Sequence, residues 1–188
     1  MKLNDPLVNN FTFKGEDYEI YLAFDNVLDV FDILNDERLF LPDRVSLALV
    51  MLTNLEQEDL SDIDIMGLWE YIMHEFISPE IEDMVEYDLE GKPMPLMPKD
   101  NQMDIIIDAE LIFSSFVQAY GINLFKSQGE LTWIEFKSLL NVLQQDTALQ
   151  QVIQIRMWEP PKGCDPKEKQ RMIKLQNLYS LREEENDE

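Results

Sequence analysis

The chain reads as a mainly α protein, a multi-helix bundle with a short N-terminal β-hairpin and a disordered acidic C-terminal tail. Three observations predict this. Apolar residues recur at helical spacing through most of the chain, period-two alternation is confined to residues 11–22, and each helical stretch is bounded by recognisable caps or breakers. Its 10 Phe, 6 Tyr and 3 Trp oppose global disorder despite a formal net charge of -23.

The hairpin comes first. Phe11 and Phe13 alternate with polar neighbours, as do Tyr18, Ile20 and Leu22, and the turn is placed at Lys14-Gly15-Glu16-Asp17. A hairpin this small needs something to pack on. Phe24, Val27, Leu28, Phe31 and Leu34 supply a helical stripe, with Asp25, Asp29, Asp32 and Asp36 on the solvated side. Pro42 suits the first turn of a second helix running to about Leu55. Asp62–Ile77 predicts a third, with Ile65, Leu68, Trp69, Ile72 and Phe76 on one side.

Residues 78–102 break the pattern through Pro79, Pro93, Pro95 and Pro98 and an acid-rich run from Glu80 to Glu90. This stretch reads as a linker or loop between residues 1–77 and a second helical part, 103–182, which could also share one domain with the first. Met103–Tyr120 predicts a helix ending at Gly121 as left-handed C-cap. Thr132 and Glu135 form a capping box for a helix to about Leu143, and Thr147–Trp158 gives a further short one. Asp165 and Pro166 open a last helix carrying Lys167, Lys169, Arg171 and Lys174, with a stripe of Met172, Leu175, Leu178 and Tyr179. Residues 183–188 read as the disordered tail.

Charge is unevenly placed. Residues 1–155 hold 30 acids and 8 bases, residues 156–182 hold 3 acids and 7 bases, and 183–188 add five acids. Such a surface repels phosphates and argues against direct nucleic-acid binding. No apolar run reaches the ~18 residues of a membrane span, and the start carries no apolar signal core. With Cys164 as the single cysteine, these features lead to the expectation of a soluble intracellular protein.

The chemistry is sparse. Gly129-Glu130-Leu131-Thr132-Trp133-Ile134-Glu135-Phe136 resembles the end of a calcium-binding EF-hand loop. Leu124, Lys126 and Gln128 then stand where oxygen ligands belong, so the capping box is preferred. Asp59 to Glu70 fails similarly, with Ile63 at position five and Asp64 in place of the turn glycine. His74 is the only histidine, which excludes multi-histidine metal sites, and it reads as structural or exposed. A nucleophile pair of His74 with Cys164 has nothing to bring it together, and phosphate-binding, dinucleotide and hydrolase motifs are absent. We therefore expect no catalysis, no metal and no cofactor. What remains is association, through Phe113, Phe116, Tyr120, Trp133 and Trp158 and the basic residues Lys167, Lys169, Arg171 and Lys174.

Several longer strings carry a resemblance. Leu3-Asn4-Asp5-Pro6-Leu7-Val8, Phe24-Asp25-Asn26-Val27-Leu28-Asp29-Val30-Phe31, Gln118-Ala119-Tyr120-Gly121-Ile122-Asn123-Leu124, Ile153-Gln154-Ile155-Arg156-Met157-Trp158 and the acidic tail are similar to one family. It is the small acidic protein of siphophages and prophages of Gram-positive bacteria encoded just ahead of the tape-measure gene. The resemblance implies a tail assembly chaperone. It would bind the tape-measure protein, a companion tail assembly chaperone and the major tail tube protein, work in the bacterial host cytoplasm during phage assembly, and be absent from the mature virion. The basic last helix, residues 165–182, is then expected to dock a second acidic copy or the companion. The alternative is an acidic DNA mimic that inhibits a restriction or DNA-binding enzyme.

Overall fold

The computed structural model describes residues 6–56, 59, 64–78 and 102–181. The expected linker lies almost wholly outside the described residues, as does the expected acidic tail. The protein is mainly α: among the described residues it has seven α-helices and one two-stranded antiparallel hairpin. It divides into two compact units, Met1–Met84 with Ser127–Lys137, and Val85–Lys126 with Ser138–Glu188. Residues 127–137, which the sequence groups with the second helical part, thus belong with the first.

In the first unit, β1 (Asn10–Phe13) pairs with β2 (Glu16–Glu19), and Phe13 lies opposite Glu16. The connection is two residues, not the four expected. Lys14 (φ 51°) and Gly15 (φ 91°) both take left-handed backbone, the geometry that matches the twist of paired strands. Glu16 and Asp17 are strand residues, and Thr12 donates to the Asp17 carboxylate across the pair at 2.6 Å. The hairpin does find something to pack on. Phe11 stacks on Tyr18 (centroids 5.4 Å apart) and meets Tyr71 and Phe76.

Helix α1 (Phe24–Asn35) packs on α2 (Leu41–Leu52), and α2 on α3 (Ile65–Ile72). Phe24, Val27 and Val30 are the buried positions of α1, while Leu28, Phe31 and Leu34 are half-buried. Pro42 lies in the first turn of α2, as expected. That helix stops three residues early, at Leu52, because Thr53 leaves helical backbone. Thr53 then bridges to Ile20, while its hydroxyl donates to the Leu49 carbonyl at 2.7 Å. Asp64 caps α3 by accepting from the Gly67 N–H at 3.1 Å, so that helix starts later than Asp62, which lies outside the described residues. After Ile72 the chain widens into a π-turn, Met73–Ile77. Its terminal Ile77 carbonyl accepts from both Trp133 Nε1 (2.9 Å) and Lys137 Nζ (2.6 Å).

The start of α5 (Trp133–Asn141) is sewn to the start of α1 by backbone bonds. The Phe24 N–H reaches Leu131 O (2.9 Å) and the Trp133 N–H reaches Leu22 O (2.7 Å). Phe24, Phe31, Trp133 and Phe136 form an aromatic cluster beneath this seam.

In the second unit, α4 (Ala109–Tyr120) packs on α6 (Ala148–Arg156), and α6 on α7 (Pro166–Leu178). The helix expected from Met103 begins six residues later. One Asp104 carboxylate oxygen takes the Ile106 and Ile107 N–H groups at 2.8 and 2.9 Å, which offers those amides a turn instead of a helix. Gly121 (φ 67°) ends α4 as expected, and α7 opens on Asp165 as N-cap with Pro166 as first residue. The buried Ser115 hydroxyl of α4 accepts the Leu149 N–H at 3.0 Å and so caps α6 from outside that helix.

Candidate interaction surface

Capping and burial decide which of the expected contact residues can meet a partner. Thr132 and Glu135 form the reciprocal box. Glu135 Oε2 accepts from the Thr132 N–H (2.9 Å) and hydroxyl (2.6 Å), and the Glu135 N–H points at Thr132 Oγ1 (3.4 Å). Gly129 donates its N–H to Asp25 Oδ1 at 2.9 Å. The segment that resembles an EF-hand end is thus tied up in helix starts, and no cluster of three or more His, Cys, Asp or Glu among the described residues is placed to hold a metal. His74 is exposed and contacts Glu75 at 2.9 Å, and Cys164 lies in the other unit with its thiol toward the Asp165 carbonyl.

Of the aromatic candidates, Phe116 and Trp133 are core residues, 0% and 4% exposed, and face no solvent. Tyr120 is half-buried with its hydroxyl on the Leu139 carbonyl at 2.9 Å, and Trp158 is half-buried with its carbonyl taken by Gln176. Phe113 is different. It lies against Phe125, 5.1 Å between centroids, and Phe125 is 70% exposed. Val117, one turn along α4 from Phe113, is also exposed. The sequence reading missed Phe125, because a lone aromatic between Leu124 and Lys126 shows no periodicity; a short 3-10 turn, Leu124–Lys126, lifts it outward.

Lys167, Lys169, Arg171 and Lys174 are all exposed, and α7 has no buried residue. What holds α7 is Arg156, which the sequence counts among the basic residues. Its guanidinium is 10% exposed and clasps Asp108, 2% exposed, in two bonds of 2.7 Å. The remaining donors reach the carbonyls of Tyr179 (2.6 Å) and Gln102 (2.9 Å). Gln176 adds bonds to the Arg156 and Trp158 carbonyls. The planar fork of arginine suits this bidentate clasp, which uses one base of the basic segment internally.

Loss of solvent on burial lowers the Lys137 pKa, and the Trp133 ring under its ammonium (5.3 Å) and the Ile77 carbonyl act against that shift. The Lys14 ammonium, 2.7 Å away, and then the Gly67 N–H hold the Asp64 carboxyl below its usual range. Arg38, bonded to Asp36 by side chain and backbone, lowers that carboxyl to about 2.

Two units of packed helices, a polar clasp at the last helix, and apolar and basic groups left exposed make up an acidic, mainly α protein. The chain belongs to the family described as Bacteriophage Gp15 protein, whose model matches residues 3–181. No curated protein and no solved structure matches it.

Proposed function

We propose that this phage protein is a non-catalytic tail assembly chaperone that binds the tape-measure protein and keeps it dispersed in the host cytoplasm until tail tube subunits enclose it. The observation that carries the reading is the apolar patch of the exposed Val117 and Phe125 with the half-buried Phe113 against Phe125, on a chain of net charge -23. An amphipathic client helix can lay its apolar stripe on such a patch, and the surrounding charge disperses the complex. The resemblance to proteins encoded beside the tape-measure gene supplies the client, and the companion chaperone and tail tube protein are its expected neighbours in assembly. Each contact is modest, so the client can be surrendered as the tube grows.

The test is co-expression with the tape-measure protein. The wild type keeps it in the soluble fraction and co-purifies with it. Val117→Asp with Phe125→Asp, both at exposed positions, lowers that soluble fraction severalfold while leaving the chaperone folded. Failure of the wild type to raise tape-measure solubility would sink the reading.

A further inference from the structure

The exposed side of α7 is ordered more finely than its sequence suggests. Met172, Leu175, Gln176 and Tyr179 are the partly covered positions and mark the side turned inward. At about 100° per residue, Lys167, Arg171 and Lys174 then share one outward stripe, while Lys169 falls on another edge beside the exposed Ile173. The exposed Leu178, 72% accessible, continues the same stripe. None of the three stripe bases forms an ion pair among the described residues.

Helix α1 carries the complementary pattern. Asp25, Asp29, Asp32 and the C-cap Asp36 recur at i, i+4, i+7 and i+11, the spacing of Lys167, Arg171, Lys174 and Leu178. Asp25 is engaged by Gly129 and Asp36 by Arg38, which leaves Asp29 and Asp32 exposed and without a base among the described residues. A shallow open hollow of about 420 Å³, lined by Asp32, Ile33, Asn35, Asp36 and Arg38, adjoins them.

Both helices also carry their charge against their own dipoles. Acids are favoured at a helix N-terminus and bases at the C-terminus. Yet α1 runs acidic to its end with no base in the last turn, and α7 holds its bases in its first nine residues with none in the last turn. Asp165 and Glu168 offset only the start of α7. Like charges at helical spacing repel within each helix, so neither stripe favours its own helix.

We propose that the outward stripe of α7 docks on the acidic stripe of α1 in a second copy of this chain, with Arg171 and Lys174 meeting Asp29 and Asp32. Equal spacing makes the assignment independent of direction. Parallel alignment pairs Arg171 with Asp29 and Lys174 with Asp32, and antiparallel alignment exchanges the partners. The two stripes are different surfaces, so the contact is heterologous and copies can add head to tail. This contact does not require the tape-measure reading.

The test uses the full chain in sedimentation velocity at low and high salt. Self-association is expected at low salt, weakening at least tenfold as salt approaches about 0.5 M and the charges are screened. Arg171→Glu with Lys174→Glu gives one monomeric variant, and Asp29→Lys with Asp32→Lys gives another. Mixing the two restores association, because each then offers the stripe the other needs. Far-UV circular dichroism confirms that the helices are kept. If charge reversal unfolds either protein, Arg171→Gln with Lys174→Gln and Asp29→Asn with Asp32→Asn must each weaken association instead. A wild type that stays monomeric at about 100 μM in low salt overturns the proposal. So does association indifferent to both sets of changes, or a mixture that remains monomeric.

Discussion

Among single side chains, Arg156 has the largest consequence. It is a base inside an acidic protein, and its four hydrogen bonds join the Gln102 carbonyl upstream of α4, the carboxylate of Asp108 at the α4 start and the Tyr179 carbonyl that closes α7. Truncating one partner of a buried pair strands the other's charge, which costs more than the pair contributes. Arg156→Met is therefore expected to destabilise by about 3–5 kcal/mol, because the buried Asp108 carboxyl keeps, among the described residues, only the Asp104 N–H and loses its guanidinium partner. Adding Asp108→Leu should return part of that loss, so the double variant is more stable in urea than the sum of the single losses. The Tyr179 and Gln102 carbonyls still lose their donors, so recovery is incomplete. Strict additivity would show that the clasp carries no coupling. Composition treats Arg156 as one more positive charge; only the fold shows that it is internal.

At the scale of elements, the chain is most legible where a cap needs a particular residue type. Asp165-Pro166, Thr132 with Glu135, Pro42 and Gly121 each bound a helix where expected, because those chemistries act within one turn. The misplaced boundaries have non-local or competing causes. Thr53 leaves α2 to bridge Ile20, Asp104 draws two amides from the head of α4, and the seam between Leu22 and Trp133 joins residues more than a hundred apart in the chain. The candidate surface was half legible. The bases of α7 stand outside, but Phe116 and Trp133 point into cores that a stripe alone cannot tell from a groove. Gly67 shows a local rule overridden. Alanine inside a helix is normally favoured over glycine by about 1 kcal/mol. Here, however, an added Cβ would meet Asp64 Oδ2 at 2.5 Å, against the carboxylate that caps α3. Gly67→Ala is thus expected to destabilise the wild type, by disturbing a cap worth about 1 kcal/mol. In an Asp64→Ala background the same change should stabilise, because the obstruction is gone. Equal signs in the two backgrounds, measured by thermal unfolding, would contradict the cap as the cause.

At the scale of the molecule, the net charge of -23 makes self-repulsion the expected governor of the response to salt. With 38 acids against 15 bases, the folded chain holds its negative charges closer together than the unfolded chain does. Salt should therefore raise the melting temperature at neutral pH, since about 0.15 M cuts the reach of exposed charges to about 8 Å. The exposed pairs Lys14–Asp64 and Arg38–Asp36 lose a little under the same screening, but two such pairs are outweighed by the excess of acids. Acid acts with two signs. Protonating ordinary carboxylates as pH falls toward 5 relieves repulsion and favours the fold. Asp36 works the other way. Its folded pKa of about 2 lies below the ordinary 3.8, so its contribution is complete above 3.8 and is lost as pH falls from there toward 2. Asp64, also lowered, loses its share in the same direction. The melting temperature in low salt should accordingly rise from pH 7 to a maximum near about 5 and fall below about 4, with the upper limb flattened by 0.15 M salt. Calorimetry on dilute protein checks it, dilute because the pI near 4.2 removes the charge that keeps copies apart. A melting temperature that drops with added salt at pH 7 would mean that specific ion pairs, not net charge, govern this fold. The charge would then have to be explained by the contacts it makes with other chains.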